Sequence, residues 1–320
     1  MQGEKSCPFL CYSAGMSEIQ SLIRFSDVTF AWPDPETGML DVGKDGTLLT
    51  PVFDMFSADI PSGLISLTGP NGSGKSTFML LAGARILPQR GSVVLAGRDS
   101  RVLTGVWADS AGAEGPGLTP ETEHARNLVC SYIYQNMEFD PSDTDDRTIG
   151  ELLEYIYANG GWNSTDSVLL TETVAALELA PIQERKLDSL SKGELQRVLL
   201  GFSALYGSKV ILMDEPIFAL EQRQKERALD FFKNLNRQTG VSVVVSLHEL
   251  SLTRSFTDTV LLFYPDRRID MGTPEEVLID SALEESYGVP SALLYDSEKL
   301  ARKVLLERAE VLSEKNESKE

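Results

Sequence analysis

Residues 64–87 read LISLTGPNGSGKSTFMLLAGARIL, and this stretch decides the fold. Its first five residues are a short, mostly apolar run with the length and β-branched content of a buried strand. Its last residues have helical apolar spacing. Between them, Gly69-Pro-Asn-Gly-Ser-Gly-Lys75-Ser76 fits G-x-x-x-x-G-K-[ST] in the strand–loop–helix setting that the motif requires. Glycines let backbone N–H groups converge on phosphate oxygens without a Cβ in the way. The helix starting near Lys75 adds the positive end of its dipole. Lys75 supplies a point charge to the β- and γ-phosphates, and the Ser76 hydroxyl is a Mg²⁺ ligand. The motif says nucleoside triphosphate and leaves the purpose open.

Outward from it, strand and helix patterns alternate. Residues 22–32 read as a strand, 33–50 as a Pro-, Gly- and Asp-rich loop insertion, and 53–63 as a strand and turn. A strand and turn follow at 92–100. Residues 102–126, rich in Gly and Pro, read as a surface insertion. Residues 130–134 are a strand, 148–190 are mostly helical, and 190–207 pass from loop into helix. Residues 209–216 form a buried strand ending in acids, 222–239 an amphipathic helix stopped by Gly240, and 241–249 and 258–266 two more strands. Such alternation predicts an α/β fold with a mainly parallel sheet and helices on both faces. The segment 297–320 has helical spacing with a polar end and reads as a helix docked on its own domain.

Composition bounds the partners. The chain has 320 residues and a net charge of −19, which disfavours nucleic acid, whose phosphates call for a basic patch. No run of about 18 apolar residues is present, so no spanning helix is expected. The apolar part of the first 20 residues is too short for a signal-peptide core, and a cytoplasmic chain is expected. Cys7, Cys11 and Cys130 do not suggest a disulfide framework. A metal site on Cys7 and Cys11 would need two more ligands, and the only histidines are His124 and His248. A mobile tail is the expectation there.

A second chemical signal is Val210-Ile-Leu-Met-Asp214-Glu215-Pro216, an apolar run ending in two carboxylates. Ligands of parallel sheets sit at the carboxyl ends of strands. There Asp214 can hold Mg²⁺, directly or through water, and Glu215 can polarise the attacking water as general base. Taken alone, the fragment is equally a pair of solvated acids ending a strand.

Between the two signals lies Leu190-Ser191-Lys192-Gly193-Glu194-Leu-Gln196-Arg197. A phosphate loop, this segment, then an apolar strand ending Asp-Glu-Pro resembles the ATP-binding cassette (ABC) ATPases, over roughly residues 22–290. The resemblance implies a P-loop NTPase fold of ABC ATPase type, with a parallel core, an antiparallel β subdomain and an α-helical subdomain over about 136–195. On that view residues 1–20 are a tail, 21–290 the cassette and 291–320 a C-terminal helical extension.

The resemblance also implies roles. ATP and Mg²⁺ would be held by Gly69, Pro70, Asn71, Gly72, Ser73, Gly74, Lys75, Ser76 and Thr77. Trp32 falls where an aromatic stacks on adenine, with Phe30 the alternative. Gln135 matches the loop glutamine that joins Mg²⁺ and senses the membrane partner. Ser191, Gly193 and Glu194 match the signature segment, which closes over ATP bound to the opposite subunit. Lys192 stands where glycine is common and Glu194 where glutamine is common, with Lys192 expected to face solvent. Ala219-Leu220-Glu221 resembles the dimer-contact loop, with glutamate in place of aspartate. His248 matches the switch histidine, working with Glu215. His124 receives no role.

One cassette without a membrane span implies a homodimer or a pair with a paralogous cassette. Such a pair sits on the inner face of the cell membrane against separate permease subunits, with a solute-binding protein involved indirectly. The end of the cassette, Gly272-Thr-Pro-Glu-Glu-Val and then Tyr287-Gly-Val, looks like importers of iron chelates, haem, cobalamin or metal. The alternatives are the ATPase of an exporter and a soluble, non-transport ABC ATPase. A regulatory module without hydrolysis is disfavoured by the presence of Lys75, Gln135, Asp214, Glu215 and His248.

Overall fold

The structure is a computed structural model, and it describes residues 21–43, 46–106, 117–135, 146–162, 167–296 and 298. The N-terminal tail with Cys7 and Cys11, and nearly all of 297–320, lie outside the described residues. The elements run in chain order: β1 (Ile23–Phe30), β2 (Phe53–Ile60), β3 (Leu64–Thr68), α1 (Lys75–Ala82), β4 (Arg90–Leu95) and β5 (Arg98–Asp99). Then come α2 (Ser100–Leu103), α3 (Pro120–Val129), β6 (Cys130–Ile133), α4 (Ile149–Asn159), α5 (Val168–Ala176), two 3-10 turns, and α6 (Lys192–Leu205). The last third holds β7 (Val210–Met213), α7 (Gln222–Thr239), β8 (Ser242–Ser246), α8 (Leu250–Phe256), β9 (Thr259–Phe263), β10 (Ile269–Gly272), α9 (Pro274–Val277) and α10 (Asp280–Tyr287).

Two sheets result. One is antiparallel, in the order β2-β1-β4-β5. The other is six-stranded, β10-β9-β3-β8-β7-β6, and parallel except for the β9–β10 hairpin. Its central strands β3, β8 and β7 are buried along their whole length because both faces are covered. Along β7, Val210 and Leu212 enter the core shared with the antiparallel sheet and α1, whereas Ile211 and Met213 enter the core shared with the helices. That is the period of two that a pleated strand imposes. Phe78 of α1 joins the sheets: it stacks on Phe25 at 4.7 Å and meets Phe263 edge-on at 5.6 Å.

The expected 33–50 loop holds no strand or helix among its described residues, only an isolated bridge between Val42 and Leu48. Of the expected insertion at 102–126, residues 107–116 lie outside the described residues, and its end is helical rather than loop. Residues 120–126 belong to α3, started by a Thr119–Thr122 capping box with Pro120 at its first position. Those are helix-start signals, and the glycines and prolines around them masked the periodicity. Within the helical region, α4 also starts on a capping box, Thr148 with Glu151. Past Gly288, residues 291–296 and 298, the part of the expected C-terminal extension that is described, are helical. Among the described residues no helix is long and apolar enough to cross a membrane.

Candidate functional site

Four neighbouring strands each deliver one part of the site. Their order across the sheet is β3, β8, β7, β6. The phosphate loop leaves the end of β3, His248 follows β8, Asp214 and Glu215 follow β7, and Gln135 follows β6. Parallel register aligns these ends: Leu67 pairs with Ser246, and Met213 pairs with both Val245 and Ile133. Residues 69–76, 135, 214–215 and 248 therefore meet at one edge although the chain separates them widely.

The loop begins at Gly69, whose φ of +136° few L side chains adopt. A Cβ there would stand 2.4 Å from the carbonyl oxygen of Phe263, so the position admits only glycine. Lys75 opens α1 and folds back, its Nζ donating to the carbonyls of Gly69 at 2.8 Å and Pro70 at 2.9 Å. Burial pushes the Lys75 pKa down, and the nearby Glu215 and Asp214 carboxylates oppose that shift.

The carboxylates are held differently. Asp214 is buried, and its Oδ1 accepts from Ser246 Oγ at 2.6 Å. The same Ser246 Oγ accepts from the Glu215 backbone N–H at 2.7 Å. Glu215 has φ +48°, a left-handed conformation that is costly for a residue with a Cβ. Its Oε2 accepts from Gln135 Nε2 at 2.7 Å, and its Oε1 lies 2.7 Å from His248 Nε2. Each carboxylate oxygen thus has its own partner. Such overdetermined strain is characteristic of functional positions.

Trp32 is half exposed, and its Nε1 donates to Thr77 Oγ1 at 3.0 Å. Phe30 packs edge-on against it at 5.1 Å but is itself buried in the core. Of the two rings, only the indole lines the cavity described next; Phe30 does not. A cavity of about 810 Å³ runs from Trp32 along Asn71, Gly72, Gly74, Lys75, Ser76 and Thr77 to Gln135, Glu215 and His248. Gly69, Pro70, Ser73 and Asp214 do not line it.

The signature residues stand apart. Ser191 caps α6, accepting from the Glu194 N–H while Glu194 Oε2 accepts from the Ser191 N–H at 2.7 Å. Those bonds to Ser191, together with the Arg185 pairing at 2.9 Å, hold the Glu194 carboxyl below its usual range. Ser191, Gly193 and Glu194 do not line the cavity. Lys192, expected in solvent, is exposed at the cavity rim. His124 meets the Tyr206 hydroxyl at 2.9 Å, away from the site. Cys130 is buried in β6, its thiol pushed up to about 12 by desolvation.

Two contributors escape sequence reasoning. Ser246 is one small polar residue in an apolar strand. Gln196 bridges the Glu215 carbonyl at 3.3 Å and the Ala219 N–H at 2.8 Å, which ties the start of α6 to the loop after β7. Its place beside the signature segment was the available signal.

The ABC transporter family model matches residues 54–218, just over half of the chain. The chain belongs to the ABC transporter family. It is an ATP-binding subunit of that family and an ATPase. It is 27% identical over 248 residues to the achromobactin transport ATP-binding protein CbrD of Dickeya dadantii, covering 77% of this chain and 85% of that one. It is 28% identical over 277 residues to the hemin import ATP-binding protein HmuV of Rhodococcus jostii, covering 85% and 87%. Among solved structures, a dimeric ATP-binding cassette in a post-hydrolysis state with ADP and Pi shares the fold. Its TM-score is 0.59 at 21% identity, over 79% of this chain and 98% of that one.

Trp32 gives a direct test within this ABC ATPase. Trp32→Ala should weaken ATP by about 1–3 kcal/mol, the usual worth of a base–aromatic stack. Trp32→Phe should retain most of the affinity. A nucleotide titration in which Trp32→Ala matches wild type would remove the stacking role.

Proposed function

We propose that this cassette works in pairs, two copies or one copy with a paralogous cassette, and powers import of an iron chelate, haem or cobalamin through separate membrane subunits. The observation that carries the enzymatic half is Glu215, clamped by Gln135 and His248 beside the Lys75 loop. Glu215 accepts a proton from the water that attacks the γ-phosphorus. Gln135 and His248 keep its two oxygens aimed. Lys75 turns its ammonium from the Gly69 and Pro70 carbonyls toward phosphate oxygens. Trp32 carries adenine.

The donor set suits Mg²⁺, a hard cation that prefers oxygen ligands and keeps waters and phosphates in its shell. Ser76 Oγ and Gln135 Oε1 are the oxygens that would hold it, with Asp214 acting through water, since its Oδ1 is bonded to Ser246. Among the described residues no group of three or more His, Cys, Asp or Glu could hold a metal, which fits a site completed by substrate phosphates. Bound there, Mg²⁺ would neutralise charge between the β- and γ-phosphates.

The pairing is supported by Ser191, which caps α6, and Gly193 in its first turn; both lie outside the chain's own cavity and so are free to close over a neighbour's nucleotide. The membrane partner is supported by a cavity of about 310 Å³ flanking β6, lined by Arg85, Arg126, Tyr132, Tyr134 and Phe202. Its wall includes Tyr134, which immediately precedes Gln135 in the chain. The import direction rests on the name of the hemin import relative.

Uptake of labelled ferric siderophore, haem and cobalamin by cells lacking the chain tests the reading. One of the three should fall to background and return with the wild-type chain but not with Glu215→Gln. Unchanged uptake of all three would sink the import assignment.

A further inference from the structure

Arg267 sits in the turn between β9 and β10 at φ +76°. The Arg267 N–H donates to the Tyr264 carbonyl at 3.1 Å, with Pro265 and Asp266 between them. This is a type I turn followed by a left-handed residue, a place where glycine is the favoured choice. An arginine there is held at a conformational disadvantage. Its side chain nevertheless reaches across to the phosphate loop, where Nη1 donates to the Gly72 carbonyl. The same nitrogen lies 3.8 Å from where a Cβ on Gly74 would be, and Arg267 lines the cavity with Trp32 and Val52.

The neighbouring arginine makes the contrast. Arg268 stacks over Tyr264 at 3.8 Å and pairs with Glu285 at 2.5 Å, so its work is structural. Arg267 has no carboxylate partner among the described residues, and a guanidinium carries five N–H donors. One is spent on Gly72. In a chain of net charge −19, this leaves a cation on the cavity wall with donors to spare.

We infer that Arg267 is a nucleotide-binding residue that donates to the phosphate chain of ATP from the β9–β10 turn, and that its backbone strain persists because glycine would lose that contact. The inference rests on the nucleotide reading above. Arg–phosphate pairing is among the stronger charge-assisted contacts.

The experiment compares Arg267→Gly, Arg267→Lys and Arg268→Ala with wild type and Lys75→Ala, by ATP titration and thermal unfolding of the full chain. Arg267→Gly should raise Kd for ATP about tenfold, the scale of one charge-assisted bond. It should also melt about 1–3 °C higher, because the strain is relieved. Arg267→Lys should bind within about threefold of wild type, since the charge remains. Arg268→Ala should lose stability and keep affinity. Unchanged ATP affinity in Arg267→Gly would overturn the inference. So would weaker binding together with a lower Tm, which would make Arg267 a strut for the loop. Wild type that fails to bind ATP, or Lys75→Ala that binds equally well, would instead defeat the nucleotide reading itself.

Discussion

Glu215→Gln is expected to bind ATP normally and to lose hydrolysis by about 10²–10⁴-fold, the range that a general base contributes. The geometry makes this substitution clean. Gln135 Nε2 and His248 Nε2 each approach one carboxylate oxygen at 2.7 Å. An amide is the same shape. Its carbonyl oxygen can accept from Gln135, and its NH₂ can donate to a neutral His248 ring. The positive-φ backbone at residue 215 and the bond from its N–H to Ser246 are unaffected. What disappears is the group that accepts the proton. With hydrolysis blocked, the nucleotide-bound pair should accumulate, visible as an ATP-dependent doubling of mass on size exclusion. Phosphate release within about threefold of wild type would remove Glu215 from the role of base.

Lys75→Ala should act a step earlier, on binding itself. Lys75 is nearly buried, so its ammonium is poorly hydrated and is prepaid for a strong partner. Burial lowers its pKa, while Asp214 and Glu215 favour the charged form. Removing it deletes the phosphate contact and the two ties to the Gly69 and Pro70 carbonyls. It also leaves the Asp214 carboxylate without its nearby cation. A hydrogen bond to a charged group contributes about 1.5–3 kcal/mol, so ATP affinity should fall at least about tenfold. Titration with a fluorescent nucleotide reads this directly, and an unchanged far-UV circular dichroism spectrum confirms that the chain still folds. Affinity within about twofold of wild type would count against the phosphate-loop assignment.

Much of this site is local chemistry and therefore visible in the chain. The glycine loop, Lys75 and Ser76 lie on eight consecutive residues, and Asp214 and Glu215 directly follow an apolar strand. The family order then placed Gln135 and His248. The cavity was less visible, because its lining also includes Val52 and Arg267, which carry no motif. Helix α3 was hidden because its capping signals sit among glycines and prolines that by themselves read as loop. Strand β10 was missed because its residues, IDMG, are short and mixed, and pair at the sheet edge with β9 alone.

Nucleoside-triphosphate binding and a parallel sheet can be read from the chain alone, because phosphate loops and buried strands are written in neighbouring residues. Which groups meet is set by the folded arrangement. The 2.7 Å contacts from residues 135 and 248 to Glu215 depend on the strand order β3-β8-β7-β6 and its register. That Phe30 is buried while Trp32 is half exposed depends on which ring the core takes in. Arg267 reaches Gly72 because the β9–β10 turn lies beside the loop across 195 residues of sequence. Sequence patterns report what each residue prefers locally, whereas long-range pairing sets who its neighbours are. That is why the chemistry was legible first and its geometry only afterwards.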